Sequence, residues 1–335
     1  MKIGWRERLN LEYPVIQAGM GGGISSADLA SAVSTSGGLG TVGMMPPKMF
    51  RSELKAVRER CCGRPFSANL LMPFVRRAHV EACLAELPAV VSVFFGFDSA
   101  LVERLKAAGI MVLHQVGSAD QARRALECGA DGLIAQGEEA GGHLAGTTPL
   151  AQLIPIIRQI AGTGQPVFGA GGVYNDESAR AVMRLGADGV VAGTRFLLTP
   201  ESNAHFDYKT RLLEADETLR TRLFGLAWPA SHRVVPNNAT KRWCRQDSPD
   251  GPGWAMAVNA AAAISRRMLP MEIVTKLVRL QRVGIPLYSP APVIHGMDPQ
   301  YLDVTPLYAG RCVRQIRELQ PAGKIVAMLA KGCAQ

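Results

Sequence analysis

The chain has 335 residues, 47% hydrophobic and 6% aromatic, with a formal net charge of +9. Lys and Arg are scattered, with no basic stretch interleaved with aromatics, which excludes nucleic-acid recognition by base stacking. No apolar run approaches about 18 residues, which excludes a membrane-spanning helix. The charge would instead draw an anionic small molecule: a phosphorylated cofactor, a coenzyme A thioester or a carrier-protein thioester.

Eight short apolar, β-branched runs fall at 15–18, 39–42, 66–70, 90–95, 111–116, 132–136, 167–170 and 189–192. Amphipathic stretches lie between them at 26–36, 50–60, 78–86, 99–108, 119–128, 150–160 and 176–185. Ser25 or Ser26 can cap the first helix, and Ser118 or Asp120 the fifth. Gly109, Gly129 and Gly186 stand where a left-handed residue ends a helix. Continuous apolar strands alternating with helices read as a parallel sheet covered on its outside. Eight such units favour closure, so the expected fold is α/β: a TIM (β/α)₈ barrel. The QAGMGGG at the end of the first strand does not make a Rossmann turn, because Pro46-Pro47 follow the second strand where an acidic residue is needed.

Beyond Phe196 the rhythm changes. Residues 1–200 form the barrel body, 201–287 a helical and loop elaboration near the substrate site, and 288–335 C-terminal helices packing back on the barrel. Within the elaboration, helical segments are expected near 257–264 and 271–280. Terminal helices are expected at 305–317 and 325–329. Seven cysteines, with no CxxC and no histidine at zinc spacing, predict free thiols and no metal. With an N-terminus that lacks a signal peptide's apolar region, they point to a reducing, cytoplasmic setting.

In such a barrel the chemistry sits at the carboxyl ends of the strands. There the sequence places Gly19-Met20-Gly21, Asn69, His114-Gln115, Glu138 to His143, Gly171-Gly172 and Gly193-Thr194-Arg195. The Gly171-Gly172 and Gly193-Thr194 pairs on adjacent strands suit a phosphate held by backbone N–H groups; alternatively they only make tight turns. Arg195 reads equally as a phosphate contact or an internal ion pair. Asn69 and Gln115 carry donor and acceptor together, matching the edge of a planar ring, or else they satisfy strand-end backbone. Met20 would underlie that ring or fill the mouth. His114 reads more readily as structural. In QGEEAGGHLAG, Gly141-Gly142 bring the chain close to a cofactor and leave His143 facing the site as catalyst, where an ordinary pKa near 6.5 suits proton transfer. Glu139 is expected at the cofactor, orienting the loop through backbone hydrogen bonds, with Glu138 facing solvent.

The segments PVIQAGMGGGIS, SANL, AQGEEAGGH, GAGGV and GTRFLLTPESNAHFDYK resemble the nitronate monooxygenase (2-nitropropane dioxygenase) family and its relatives, the FMN-dependent enoyl-acyl-carrier-protein reductases. The resemblance covers about the first 210 residues. It implies noncovalent FMN, with Asn69 and Gly141-Gly142 beside the flavin, Gly171-Gly172 and Gly193-Thr194 around its phosphate, and His143 as the catalytic histidine. It also implies oxidation of a nitronate or nitroalkane with O₂ to a carbonyl compound and nitrite. The alternative is an NAD(P)H-dependent reductase of an enoyl thioester or a quinone. Self-association as a homodimer is the remaining partner expectation. The chain departs from the family pattern at Gly19, where proline is familiar, and at Leu144-Ala145, where Arg-Gly often follows the histidine.

Overall fold

The computed structural model describes residues 4–265 and 278–334. Its strands are β1 (Val15–Gln17), β2 (Gly40–Val42), β3 (Phe66–Leu71), β4 (Val90–Phe94), β5 (Met111–Val116) and β6 (Gly132–Gln136). A two-residue strand, β7 (Gly142–His143), precedes β8 (Val167–Ala170) and β9 (Gly189–Ala192). Eight of these pair in parallel in the order β1-β9-β8-β6-β5-β4-β3-β2. A parallel bridge between Ile16 and Leu39 joins the two ends. Leu39 N–H donates to Val15 O at 2.8 Å, and Gln17 N–H donates to Leu39 O at 3.0 Å. The eight apolar runs thus close into the expected barrel.

Side-chain alternation explains why the runs are mostly apolar. Val15, Leu133, Val167 and Val190 face the surrounding helices. Their neighbours Ile16, Ile134, Phe168 and Val191 fill the interior with Val90, Met111 and Leu113. Trp5, on the helix Trp5–Leu9, meets Phe168 edge-on at 5.0 Å and closes the barrel's N-terminal end. Burying each of these large side chains stabilises the fold by about 1.5–3 kcal/mol.

The intervening helices agree with the sequence pattern to within a few residues, for example Ala27–Thr35, Ala119–Glu127 and Asp176–Arg184. Ser118 caps its helix by accepting Gln121 N–H at 3.3 Å. Ser26 stands at the first cap but makes no capping bond; Glu53 accepts Ala27 N–H instead. Ser25 accepts Met20 N–H at 3.0 Å and so ties down the loop after β1. Gly109, Gly129 and Gly186 have φ of +82°, +89° and +98°, as left-handed helix ends require.

A second sheet lies at the barrel mouth. Its strands are β10 (Leu219–Thr221), β11 (His232–Val235) and β12 (Leu307–Tyr308), and β11 also pairs with β7. This corrects the helix expected at 305–317. Residues 307–308 pair with β11, and only Arg311–Gln315 coil, as a 3-10 turn. The physical reason is β11, whose edge pairs with Leu307–Tyr308; Gly310 N–H, donated to Thr194 Oγ1 at 2.9 Å, then pins the segment across the barrel end. A helix spans Gly253–Ser265; of the 271–280 expectation, 271–277 lies outside the described residues, and Val278–Leu280 forms a 3-10 turn. The last helix, Ala322–Cys333, packs on Asp176–Arg184. Among the described residues no helix is long and apolar enough to cross a membrane.

Candidate active site

The carboxyl ends of the strands surround a cavity of about 250 Å³. Gly19, Met20 and Gly21 enter it after β1, Asn69 from β3, Gln115 from β5, Gly141 to His143 from the loop after β6, Gly171-Gly172 after β8, and Gly193-Thr194 after β9. These are the expected cofactor positions except Glu139, and they converge because parallel strands all end on one face. Trp228, Pro290, Pro292 and Tyr308, all beyond the barrel strands in sequence, complete the wall.

Glu139 lies behind the loop. Its carboxylate accepts Leu150 N–H at 3.1 and 3.2 Å, at the start of the helix Leu150–Ala161. A carboxylate there meets unpaired N–H groups and the positive helix end, which holds it away from the cavity. Glu138 does not face solvent: it pairs with Arg311 at 3.0 Å. Its carbonyl accepts Arg233 Nε and Nη2 at 3.1 and 2.9 Å. Since hydrogen bonds to a charged group contribute more than neutral ones, Arg233→Met is expected to cost about 1.5–3 kcal/mol, read from urea unfolding.

The loop backbone packs too closely for side chains. A Cβ on Gly141 would stand 2.4 Å from Gly310 N and 2.5 Å from Ala309 C, both backbone atoms that cannot swing aside. Gly141→Ala should therefore cost about 1–3 kcal/mol, and the purified variant should carry less flavin by absorbance.

His143 is positioned from three sides. Its carbonyl accepts Gln136 Nε2–H at 3.0 Å, and Gln136 Oε1 accepts Ala145 N–H at 2.7 Å. Its backbone pairs with His232 across β7 and β11, and Leu144 N–H donates to Ser231 O at 2.9 Å. The imidazole stacks on Trp228 with ring centres 3.6 Å apart, and His232 and Tyr308 stand 5.2 and 5.4 Å away. Its Nε2 is buried without a hydrogen-bond partner. Burial, and then the neighbouring His232, hold its pKa well below the ordinary histidine value. The ring is neutral, offering one N–H and one lone pair.

The other expected residues divide. Asn69 Nδ2–H donates to Ser92 Oγ at 2.9 Å, while its Oδ1 is buried and unpartnered. Thr194 Oγ1 accepts Gly310 N–H, and its hydroxyl also meets the Cys312 thiol. Gly172, at φ +73°, has open space where a side chain would be. His114 contacts the Gly96 and Gln115 carbonyls at 2.7 and 3.1 Å and stacks on Phe97, which makes it structural. Arg195 is buried and donates to Glu318 O at 2.9 Å, away from the cavity. No Lys, Arg, Asp or Glu lines the cavity among the described residues.

The sequence reading missed Gln136, Trp228, His232 and Tyr308. Gln136 ends its strand much as Gln115 ends its own, a signal that was available. The others reach the site only through the second sheet, whose short strands carry little local pattern.

A closed (β/α)₈ barrel with a glycine-walled, charge-free cavity and one neutral histidine is the layout of a barrel oxidoreductase. The family described as nitronate monooxygenase matches residues 5–79 and 72–332, and the chain belongs to this FMN-dependent nitronate monooxygenase/FabK-like oxidoreductase superfamily. It is 33% identical to the (3aS,4S,5R,7aS)-5-hydroxy-7a-methyl-1-oxo-octahydro-1H-indene-4-carboxyl-CoA dehydrogenase of Mycobacterium tuberculosis, over 79% of this chain and 74% of that one. Among solved structures it is similar to FabK from Thermotoga maritima, with 25% identity and a TM-score of 0.76, covering 98% of this chain and 94% of that one. It is also similar to nitroalkane oxidase from Streptomyces ansochromogenes, with 27% identity and a TM-score of 0.74, covering 96% and 95%.

Proposed function

We propose that the protein binds FMN and acts on the α,β carbon–carbon bond of an acyl thioester, with NAD(P)H as electron donor in the reducing direction. The observation that carries this reading is His143, half-buried in a cavity wall without charged side chains, with its Nε2 enclosed and its pKa lowered by burial. An imidazole held neutral by burial is a weak base toward a C–H bond, but its N–H is a good donor to a carbonyl oxygen. A thioester offers that oxygen beside the reacting carbons. The similarity to a carboxyl-CoA dehydrogenase supports the same substrate class, and the +9 charge suits an anionic thioester carrier.

The residues fit the cofactor. Asn69 Oδ1 is a buried acceptor in need of a donor, as a flavin ring edge supplies. With no basic side chain in the lining, Gly171-Gly172, Gly193 and the Thr194 hydroxyl would hold the phosphate through neutral groups. Bound there, FMN supplies hydride acceptance and donation. The protein orients the substrate, and Trp228 covers one face of His143 and excludes water.

Nitronate oxidation is the second reading, supported by the family description and by the nitroalkane oxidase similarity. An anaerobic titration separates the two. Rapid bleaching of the flavin by NADH or NADPH, followed by reoxidation with an enoyl-CoA, is the expected result. Bleaching by a nitronate but by neither nicotinamide would reject the thioester reading. Protein that neither copurifies with flavin nor takes up added FMN would reject both.

A further inference from the structure

Beneath the main cavity, a smaller one of about 20 Å³ lies on the barrel axis, lined from β1, β2, β3, β4, β5, β6 and β9. The two share Ala18, Gly19, Asn69, Gln115 and Val191, so the small cavity is the floor of the large one. Barrel interiors are normally filled by branched apolar side chains. This layer also holds the polar Gln17, Thr41, Ser67, Asn69, Ser92 and Gln115, set among Ile16, Leu39, Val90, Leu113, Ile134 and Val191. Thr41 Oγ1 and Asn69 Oδ1 are both buried there without a hydrogen-bond partner. The two side chains converge under Gly19: a Cβ at that glycine would stand 2.3 Å from Asn69 Cβ and 3.0 Å from Thr41 Cγ2. Two orphaned polar atoms beside one void are rare in a folded interior.

We infer that this chamber binds water, about one or two molecules, hydrogen-bonded to Thr41 Oγ1 and Asn69 Oδ1. A water needs roughly 10–15 Å³; the chamber offers about 20 Å³, with two unpartnered polar atoms on the residues that line it. A metal cation does not suit the chamber, because no carboxylate lines it and the charge would be buried unpaired.

The water has a consequence for the cofactor wall, which rests on the FMN reading above. Asn69 Nδ2–H is already anchored on Ser92 Oγ. An amide oxygen has two lone pairs, so Oδ1 can accept from the water and from the flavin edge together, and the water fixes the orientation in which the amide meets the cavity. Thr41, which does not line the main cavity, thereby positions a residue that does.

The test uses the full chain, its Thr41→Val variant, which swaps hydroxyl for methyl at constant volume, and Thr41→Ser, which keeps the hydroxyl. High-resolution crystallography should show a water within about 3.2 Å of both Thr41 Oγ1 and Asn69 Oδ1. Water-oxygen relaxation dispersion should count at least one fewer long-lived water in Thr41→Val, and FMN affinity, from quenching of flavin fluorescence, should fall roughly tenfold. Thr41→Ser should behave as the parent in both measurements. An empty chamber, or a Thr41→Val protein with the parent's water count, would overturn the site. Unchanged FMN affinity in Thr41→Val would overturn the coupling to Asn69. If no form binds FMN although the water is present, the cofactor reading fails while the water site stands.

Discussion

Replacing His143 with Ala is expected to lower turnover of an enoyl thioester by about 10²–10³-fold, the cost of removing one donor aimed at developing charge on a carbonyl oxygen. The loss should fall on kcat, and FMN affinity should change by less than about twofold, because the side chain lies on the substrate side of the proposed arrangement. His143→Gln distinguishes what the ring does. Glutamine keeps an N–H donor but cannot take up a proton, so it should recover about tenfold over Ala if His143 works as a donor. Equal activity of the Ala and Gln variants would point to proton abstraction instead. That outcome would favour nitroalkane chemistry, for which a neutral nitroalkane should suffer more than a supplied nitronate. The pH profile gives a third reading. With its pKa held well below the ordinary value by burial, His143 should contribute no inflection to kcat between pH 6 and 8.

His232 should make the fold sensitive to acid. It is fully buried, its Nδ1 contacts Ala230 O at 3.0 Å, and burial drives its pKa down to about 4. A carbonyl only accepts, so Nδ1 carries the proton and the neutral ring fits. The unfolded chain takes up a proton near pH 6.5, while the folded one resists until about pH 4. The stability that depends on a neutral His232 is therefore complete above pH 6.5 and is lost as pH falls through this window. The loss reaches about 2 kcal/mol by pH 5 and about 3 kcal/mol below pH 4. His143 acts in the same direction. Urea unfolding at pH 7.5 and pH 5 measures this: His232→Gln should be less stable than the parent at pH 7.5 but lose about 2 kcal/mol less on acidification. Identical acid losses in the two proteins would rule out His232 as the source.

The barrel was legible because its determinants are local. Each strand is buried on both faces, so it reads as a mostly apolar run, and helices end on left-handed glycines at Gly109, Gly129 and Gly186. Parallel topology then puts every strand end on one face, so Asn69, Gln115, His143, Gly171-Gly172 and Gly193-Thr194 could be gathered into one site from strand order alone. The segment at 305–317 was misread because its apolar residues also suit a helix; what recruits Leu307–Tyr308 into a strand is β11, distant in sequence. Glu139 does accept a backbone N–H, but it is that of Leu150, which draws the carboxylate behind the loop and away from the cavity.

The sequence by itself determined the eight-fold alternation, the glycine-rich mouth and the histidine that faces it, since these depend on residue type and spacing along one stretch of chain. Only the tertiary structure decided the state of that histidine. Trp228, His232 and Tyr308 reach it across a sheet assembled from four distant segments, and their packing removes the water that would otherwise let the imidazole take a charge. Desolvation depends on what closes over a group, and no local pattern around His143 encodes it.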